Sequence, residues 1–219
     1  MMNARILNPK PKAKAKRLVG NREPLADNIP KARIIEGLPL GNLGGSAIVC
    51  KGKMDGRDEP VALKMSRDYI IESRNLLEEE LEKSIRLSRI LPNAASYYSM
   101  VKVRYEPDRP AFAMEIVLGY PILDTNMDCI DAGRLRKLFN KGAIDQLGAS
   151  LEIASSKGWH TNDLQYFVLL EDQVLNGKSF RRGDVILFDF CDWHQKMDGI
   201  RPDFSAQIDN LAKLIHGIR

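Results

Sequence analysis

From residue 34 the chain alternates short apolar runs with turn residues. Ile34-Ile35 and Leu38 to Leu40 lead into Gly41-Asn42-Leu43-Gly44-Gly45-Ser46, and β-prone Ala47-Ile48-Val49-Cys50 follows, a pattern that predicts strand, tight loop, strand. Asp55-Gly56 is a hairpin signal, and Pro60 to Met65 reads as a third strand. Between Ser73 and Leu91 the period changes. Leu77, Leu81, Ile85 and Ser88 fall on one helical face with Pro92 beyond the end, which predicts an amphipathic helix. Strand-like runs at 98–105 and 111–118 flank Glu106-Pro107-Asp108, and Gly119-Tyr120-Pro121 reads as the turn that closes them. The expected order to this point is βββαββ.

Helical patterns then cover about 132–139 and 143–157, the second with Ile144, Leu147, Leu151 and Ala154 inward and Gly158 as its stop. After the loop Trp159 to Leu164 come a strand over 167–170, an Asn176-Gly177 turn, and a strand over 185–188 ending at Asp189. One last helix is expected near Asp209, with Leu211, Leu214 and Ile215 apolar. No internal repeat is visible.

A chain of 219 residues, 44% hydrophobic, can bury one sizeable core or two small lobes. Its net charge of +4 is concentrated in the first 34 residues, at Lys10, Lys12, Lys14, Lys16 and Arg17 among others, and the remainder is nearly neutral. That segment is expected to be a basic, disordered, solvated tail without a catalytic role. Cys50, Cys129 and Cys191 form neither a CxxC pair nor a His/Cys cluster, so no disulfide framework and no zinc site is expected. No apolar run reaches the roughly 20 residues of a membrane span, and the start lacks the apolar segment of a cleaved signal. A soluble chain with reduced thiols is expected.

The chemistry lies in an ordered set of residues. A glycine-rich loop between strands lets backbone N–H groups approach a polyphosphate. Lys64 sits on a strand with apolar Val61 and Leu63 beside it, so its ammonium points to the opposite face, beneath that loop. A phosphate and a carboxylate would satisfy it there. Glu78, Glu79, Glu80 and Glu82 are candidates for the carboxylate, and Glu82 is favoured because Leu81 and Ile85 bracket it. Asp163, in a loop before a strand, suits a general base or hydroxyl-orienting group. Asp189, at a strand end, suits a Mg²⁺ ligand. In this order the residues match what phosphoryl transfer requires.

Val61-Ala62-Leu63-Lys64 resembles the Val-Ala-Ile-Lys strand of protein kinases, Met114 to Gly119 resembles their hinge, and Asp189-Phe190-Cys191 resembles Asp-Phe-Gly. The resemblance covers about residues 35–192. It implies an α+β, bilobal fold: a tail over 1–32, an N-lobe of five antiparallel strands and one helix over 33–117, and a truncated, mainly helical C-lobe without an activation segment over 118–219. It implies ATP with Mg²⁺ or Mn²⁺, nucleotide contacts from Gly41, Gly44, Gly45, Ser46, Val49, Ala62, Lys64, Met114, Glu115 and Val117, and a Phe190 that lines the pocket. Lys64, Glu82 and Asp163 would be catalytic, and Asp189 would bind metal.

The pattern also departs from the family. Asn42, Gly44 and Ala47 stand where three glycines are usual, His160 is one residue early, and Val168 replaces a metal-binding Asn, for which Asn162, Gln165 or Asp192 could substitute. Only 30 residues follow Asp189. This architecture resembles type III secreted effector kinases, namely the OspG and NleH group and the HopBF group. That likeness implies a monomer without membrane span or nucleic-acid partner, made in the bacterial cytoplasm, exported with the tail as leader, and acting on a host protein such as the Hsp90 chaperone or a ubiquitin-conjugating enzyme. Asp209 is similar to the Asp that braces the catalytic loop. Two other readings stay open: a non-catalytic kinase-like binding module, and a small-molecule phosphotransferase resembling aminoglycoside and choline kinases. Transfer of AMP in place of phosphate is also open.

Overall fold

The computed structural model describes residues 29–41, 47–68, 71–123, 133, 136–195 and 203–216. Residues 1–28 of the basic tail, residues 132, 134 and 135 of the expected 132–139 helix, and Gly44, Gly45 and Ser46 lie outside the described residues; Lys31 and Ala32, expected in the tail, belong instead to the first strand, where they pair with Lys102 and Val103.

Six strands form one sheet: β1 (Lys31–Gly41), β2 (Ala47–Met54), β3 (Val61–Ser66), β4 (Tyr97–Met100), β5 (Lys102–Val103) and β6 (Ala111–Met114), in the order β4-β6-β3-β2-β1-β5. The 98–105 run is therefore two strands rather than one. β4 pairs antiparallel with β6, and the next residues cross to pair parallel with β1, Lys31 opposite Lys102, which gives six strands where five antiparallel ones were expected. Period-2 alternation sets the faces. Val61, Leu63 and Met65 of β3 bury with Cys50, Val101 and Ala113 on one side, so Ala62 and Lys64 face the other.

α1 (Ile71–Ile90) packs against that second face. Its buried residues, Leu77, Glu80, Leu81, Ser84, Leu87 and Ser88, recur at three- and four-residue steps, while Asn75, Glu79, Glu82, Arg86 and Arg89 are exposed. α1 ends where Pro92 removes a donor.

The second half is less helical than expected. Among the described residues it holds α2 (Ala143–Ser156) and α3 (Ser205–His216), but also β7 (Gly119–Leu123), β8 (Trp159–His160), β9 (Gln165–Leu169), β10 (Gln173–Leu175), β11 (Lys178–Phe180), β12 (Val185–Leu187) and β13 (His194–Gln195). The run Gly119-Tyr120-Pro121 is not a closing turn: it begins β7, the edge of a β12-β9-β7 sheet, where a proline's missing donor is tolerated. Gly119 is needed there, since a Cβ would lie 2.7 Å from the Phe167 Cβ. α3 begins at Ser205, whose N–H donates to Asp203 at 2.8 Å, so Asp203 caps the helix and holds its carboxyl below the ordinary value. Asp209 is exposed in the fifth position of the helix, not at its head.

One core joins the halves. Leu87 from α1, Leu91 just beyond its end, Phe112 from β6, Leu147 and Leu151 from α2, Val168 from β9, Leu187 from β12 and Trp193 are all buried in it. Each such side chain contributes about 1.5–3 kcal/mol, and Leu87→Ala would cost about 2–5 kcal/mol.

Candidate active site

Lys64 and its partners line a cavity of about 530 Å³ between the six-stranded sheet and β9. Lys64 Nζ donates to Glu80 Oε1 at 2.6 Å and to Asp189 Oδ1 at 3.0 Å. The carboxylate partner is thus Glu80 rather than Glu82. The apolar pair that brackets Glu82 in sequence sits one step around the helix from it; Glu82 lies on the solvent stripe of α1, 73% exposed, with Arg86 3.9 Å away. Glu80 falls on the buried stripe with Leu77 and Ser84.

Burial alone would pull the Lys64 ammonium down, but Asp189 and then Glu80 outweigh it, and Lys64 sits above its ordinary value, charged across the neutral range. Glu80 is also raised, by burial and by the Asp189 charge, against the pull of Lys64. Two carboxylates share one cation, and the surplus negative charge faces the cavity.

Asp189 follows β12 in a left-handed backbone conformation, φ 52°, which costs a non-glycine residue on the order of 1 kcal/mol. Its N–H donates to the Tyr97 hydroxyl at 3.3 Å, and Lys83 of α1 holds the Cys191 carbonyl at 3.1 Å. Tyr97 and Lys83 are positioning contacts that the sequence reading missed. The Cys191 thiol lines the same cavity, and burial together with Asp189 pushes it well up. Phe190 does not line the cavity: it is fully buried against Tyr97 and Trp193, with ring centroids 5.8 and 5.5 Å away. Phe188, stacked on Phe167 at 4.0 Å, takes that place.

Asp163 also lines the cavity. Its N–H donates to Thr161 Oγ1 at 3.0 Å, and its Oδ2 accepts from Gln165 Nε2 at 2.7 Å. Its Oδ1 is buried without a hydrogen-bond partner, an arrangement that normally has an acceptor role to fill. Val168 is fully buried mid-strand between Val185 and Tyr120, so position 168 offers no ligand.

Of the expected nucleotide contacts, Val49, Ala62, Lys64, Met114, Glu115 and Val117 line the cavity. Gly41 pairs with Val49 at the end of β1. Leu118 fixes the hinge-like segment. Its N–H donates to Gln173 at 3.1 Å, and its carbonyl accepts from Gln173 at 2.8 Å and from Leu170 at 3.1 Å.

The donor set fits Mg²⁺. Asp189 and the Gln165 amide supply hard oxygens beside surplus negative charge, and Mg²⁺ is usually held by one or two carboxylates plus phosphate and water. Among the described residues no group of three or more His, Cys, Asp or Glu forms a metal cage, and no helix is long and apolar enough to cross a membrane.

No protein-family model matches the chain, and no curated protein matches it. Among solved structures it is similar to the kinase domain of PF14_0431, with 14% identity and a TM-score of 0.48 over 73% of this chain and 51% of that one. It is similar also to Cex1p, with 15% identity and a TM-score of 0.49 over 84% of this chain and 31% of that one. The chain spans about half of the first and under a third of the second. At these scores neither likeness carries weight; the α+β arrangement and its cavity are compatible with a kinase-like fold on their own geometry.

Proposed function

We propose that this chain is an ATP- and Mg²⁺-dependent protein kinase acting on a serine or threonine hydroxyl. The observation that carries the reading is Lys64: one ammonium bridges a helix carboxylate and a carboxylate just past a strand end inside a cavity that Glu115, Ile116 and Val117 also line. The adenine ring would bind against the backbone of Glu115 to Val117, beside Val49 and Ala62. Lys64 would neutralise phosphate oxygens, and Glu80 holds it in place. Asp189 with Gln165 would hold the metal, which supplies charge neutralisation and coordination of the polyphosphate.

The Asp163 carboxylate would accept the proton of the substrate hydroxyl. The hydroxyl oxygen bonds to the γ-phosphorus as the bond to the β–γ bridging oxygen breaks, and ADP departs with that oxygen. Calorimetric titration with ATP tests this reading. Binding that strengthens with Mg²⁺ and weakens at least about ten-fold in Lys64→Met is expected, and a wild-type protein that binds no ATP would refute it.

One observation favours a second reading. Val168 sits where a metal-binding Asn is usual and is part of the core, which suits a nucleotide-binding module without turnover; ATP binding with no transfer would select it. The lobe limits at 33–117 and 118–219, the effector role, export of the chain, and a host target such as the Hsp90 chaperone or a ubiquitin-conjugating enzyme belong to the same proposal, supported by the sequence resemblance alone.

A further inference from the structure

The hairpin of β10 and β11 has no part in the chemistry above, yet its tip touches two walls of the site. Asn176 and Gly177 close it at φ 51° and 70°, the left-handed pair of a type I′ turn. Leu175 and Phe180 bury against Ala95, Leu169 and Ile186, which sets the hairpin under the α1–β4 connection.

The tip then makes a dense set of bonds. Asn176 N–H donates to both carboxylate oxygens of Glu115, at 3.0 and 2.9 Å. Its Nδ2 donates to the Ser88 carbonyl at 3.0 Å, and its Oδ1 accepts from the Ser96 hydroxyl at 3.1 Å. Glu115 also accepts from Ser96 N–H at 2.8 Å. Ser88 O is one of the last four carbonyls of α1, which have no partner within the helix. Asn176 therefore caps α1 from a distant part of the chain. Lys178 adds a bond to the Pro92 carbonyl at 3.2 Å.

We propose that Asn176 is a positioning residue: it ties the C-terminal end of α1 to the cavity wall at Glu115 and so fixes, two helical turns upstream, the Glu80 carboxylate that holds Lys64. The catalytic consequence rests on the kinase reading, whereas the tie itself does not. With the hairpin in place, the Lys64–Glu80 pair is set by the fold and needs no separate switch.

The variant Asn176→Gly keeps the left-handed turn and the N–H to Glu115 but deletes the side chain. Amide hydrogen exchange without nucleotide, beside turnover, tests the tie, with Val103→Ala in the other core cluster as the control for general destabilisation. In Asn176→Gly, α1 amides between Glu80 and Ser88 should exchange about ten-fold faster. Turnover should fall about ten-fold with KM for ATP nearly unchanged, and Val103→Ala should change neither. Wild-type exchange of α1 in Asn176→Gly would overturn the tie, and unchanged turnover despite faster exchange would overturn its positioning role. A wild-type protein that transfers no phosphate would sink the kinase reading instead, and the exchange result would still decide the tie.

Discussion

Lys64 Nζ stands 3.0 Å from Asp189 Oδ1 across 125 residues of chain. The contact joins β3, in the six-stranded sheet, to a residue two positions beyond β12, a strand of the three-stranded sheet, and the cavity opens where they meet. Breaking a buried pair of this kind by removing one partner costs about 3–5 kcal/mol, because the remaining charge is left without compensation. Lys64 is shared by two carboxylates, however, and the consequences of losing each one differ.

Glu80→Gln leaves Lys64 and Asp189 as a neutral pair. Its melting temperature should be unchanged or higher, while phosphate transfer should drop by about 10- to 100-fold as the Lys64 side chain loses its anchor. Glu82→Gln should alter neither, because an exposed pair of this length contributes about 0–1 kcal/mol at most. Thermal melts and initial rates on the two variants decide between the two glutamates.

Stability should carry a pH signature. The folded Glu80 carboxyl is raised above its ordinary 4.5, so just above that value the folded state binds a proton that the unfolded state has released. Stability then falls as pH rises through that window. Lys64 acts in the opposite range: its raised value gives stability that is complete below about 10.5 and lost only as pH climbs through its folded value. Melting from pH 4.5 to 7 should show the acid-side slope in the wild type and lose it in Glu80→Gln.

Placing at position 168 the Asn that is usual in protein kinases should not help. Val168→Asn places an amide in a fully buried, fully paired strand, at a cost of about 1–3 kcal/mol, and should give no gain in Mg²⁺-dependent rate. Gln165→Ala, by contrast, should raise the Mg²⁺ concentration needed for half-maximal rate. Metal titrations of the two variants check both statements.

The Cys191 thiol should alkylate slowly at pH 8, since burial and the Asp189 charge keep it protonated. Because it lines the cavity, ATP should slow the reaction further. Peptide mass mapping after iodoacetamide treatment reads this at Cys191 itself.

The sheet side of the site was legible because strand parity is strict: apolar Val61 and Leu63 force Lys64 to the opposite face. Asp163, Gln165 and Asp189 were found as loop and strand-end residues, and they do meet in one cavity. The helix side was misphased by two residues. Four glutamates within Glu78 to Glu82 leave the choice to the width of the buried stripe, and Ser84 and Ser88, polar but buried, hide that stripe from a hydrophobicity count. β7 was hidden by Gly119 and Pro121, which signal a turn unless the strand is known to lie at an edge. The anchoring roles of Tyr97, Lys83 and Asn176 depend on contacts far apart in sequence, for which no local pattern exists.

The most direct test of the central claim is incubation of the purified protein with γ-labelled ATP, Mg²⁺ or Mn²⁺ and a eukaryotic lysate, beside Asp189→Ala. Label on lysate proteins that disappears with Asp189→Ala is the predicted result. No label from the wild type despite ATP binding, or equal label from both proteins, would contradict phosphate transfer at the Lys64, Glu80 and Asp189 site.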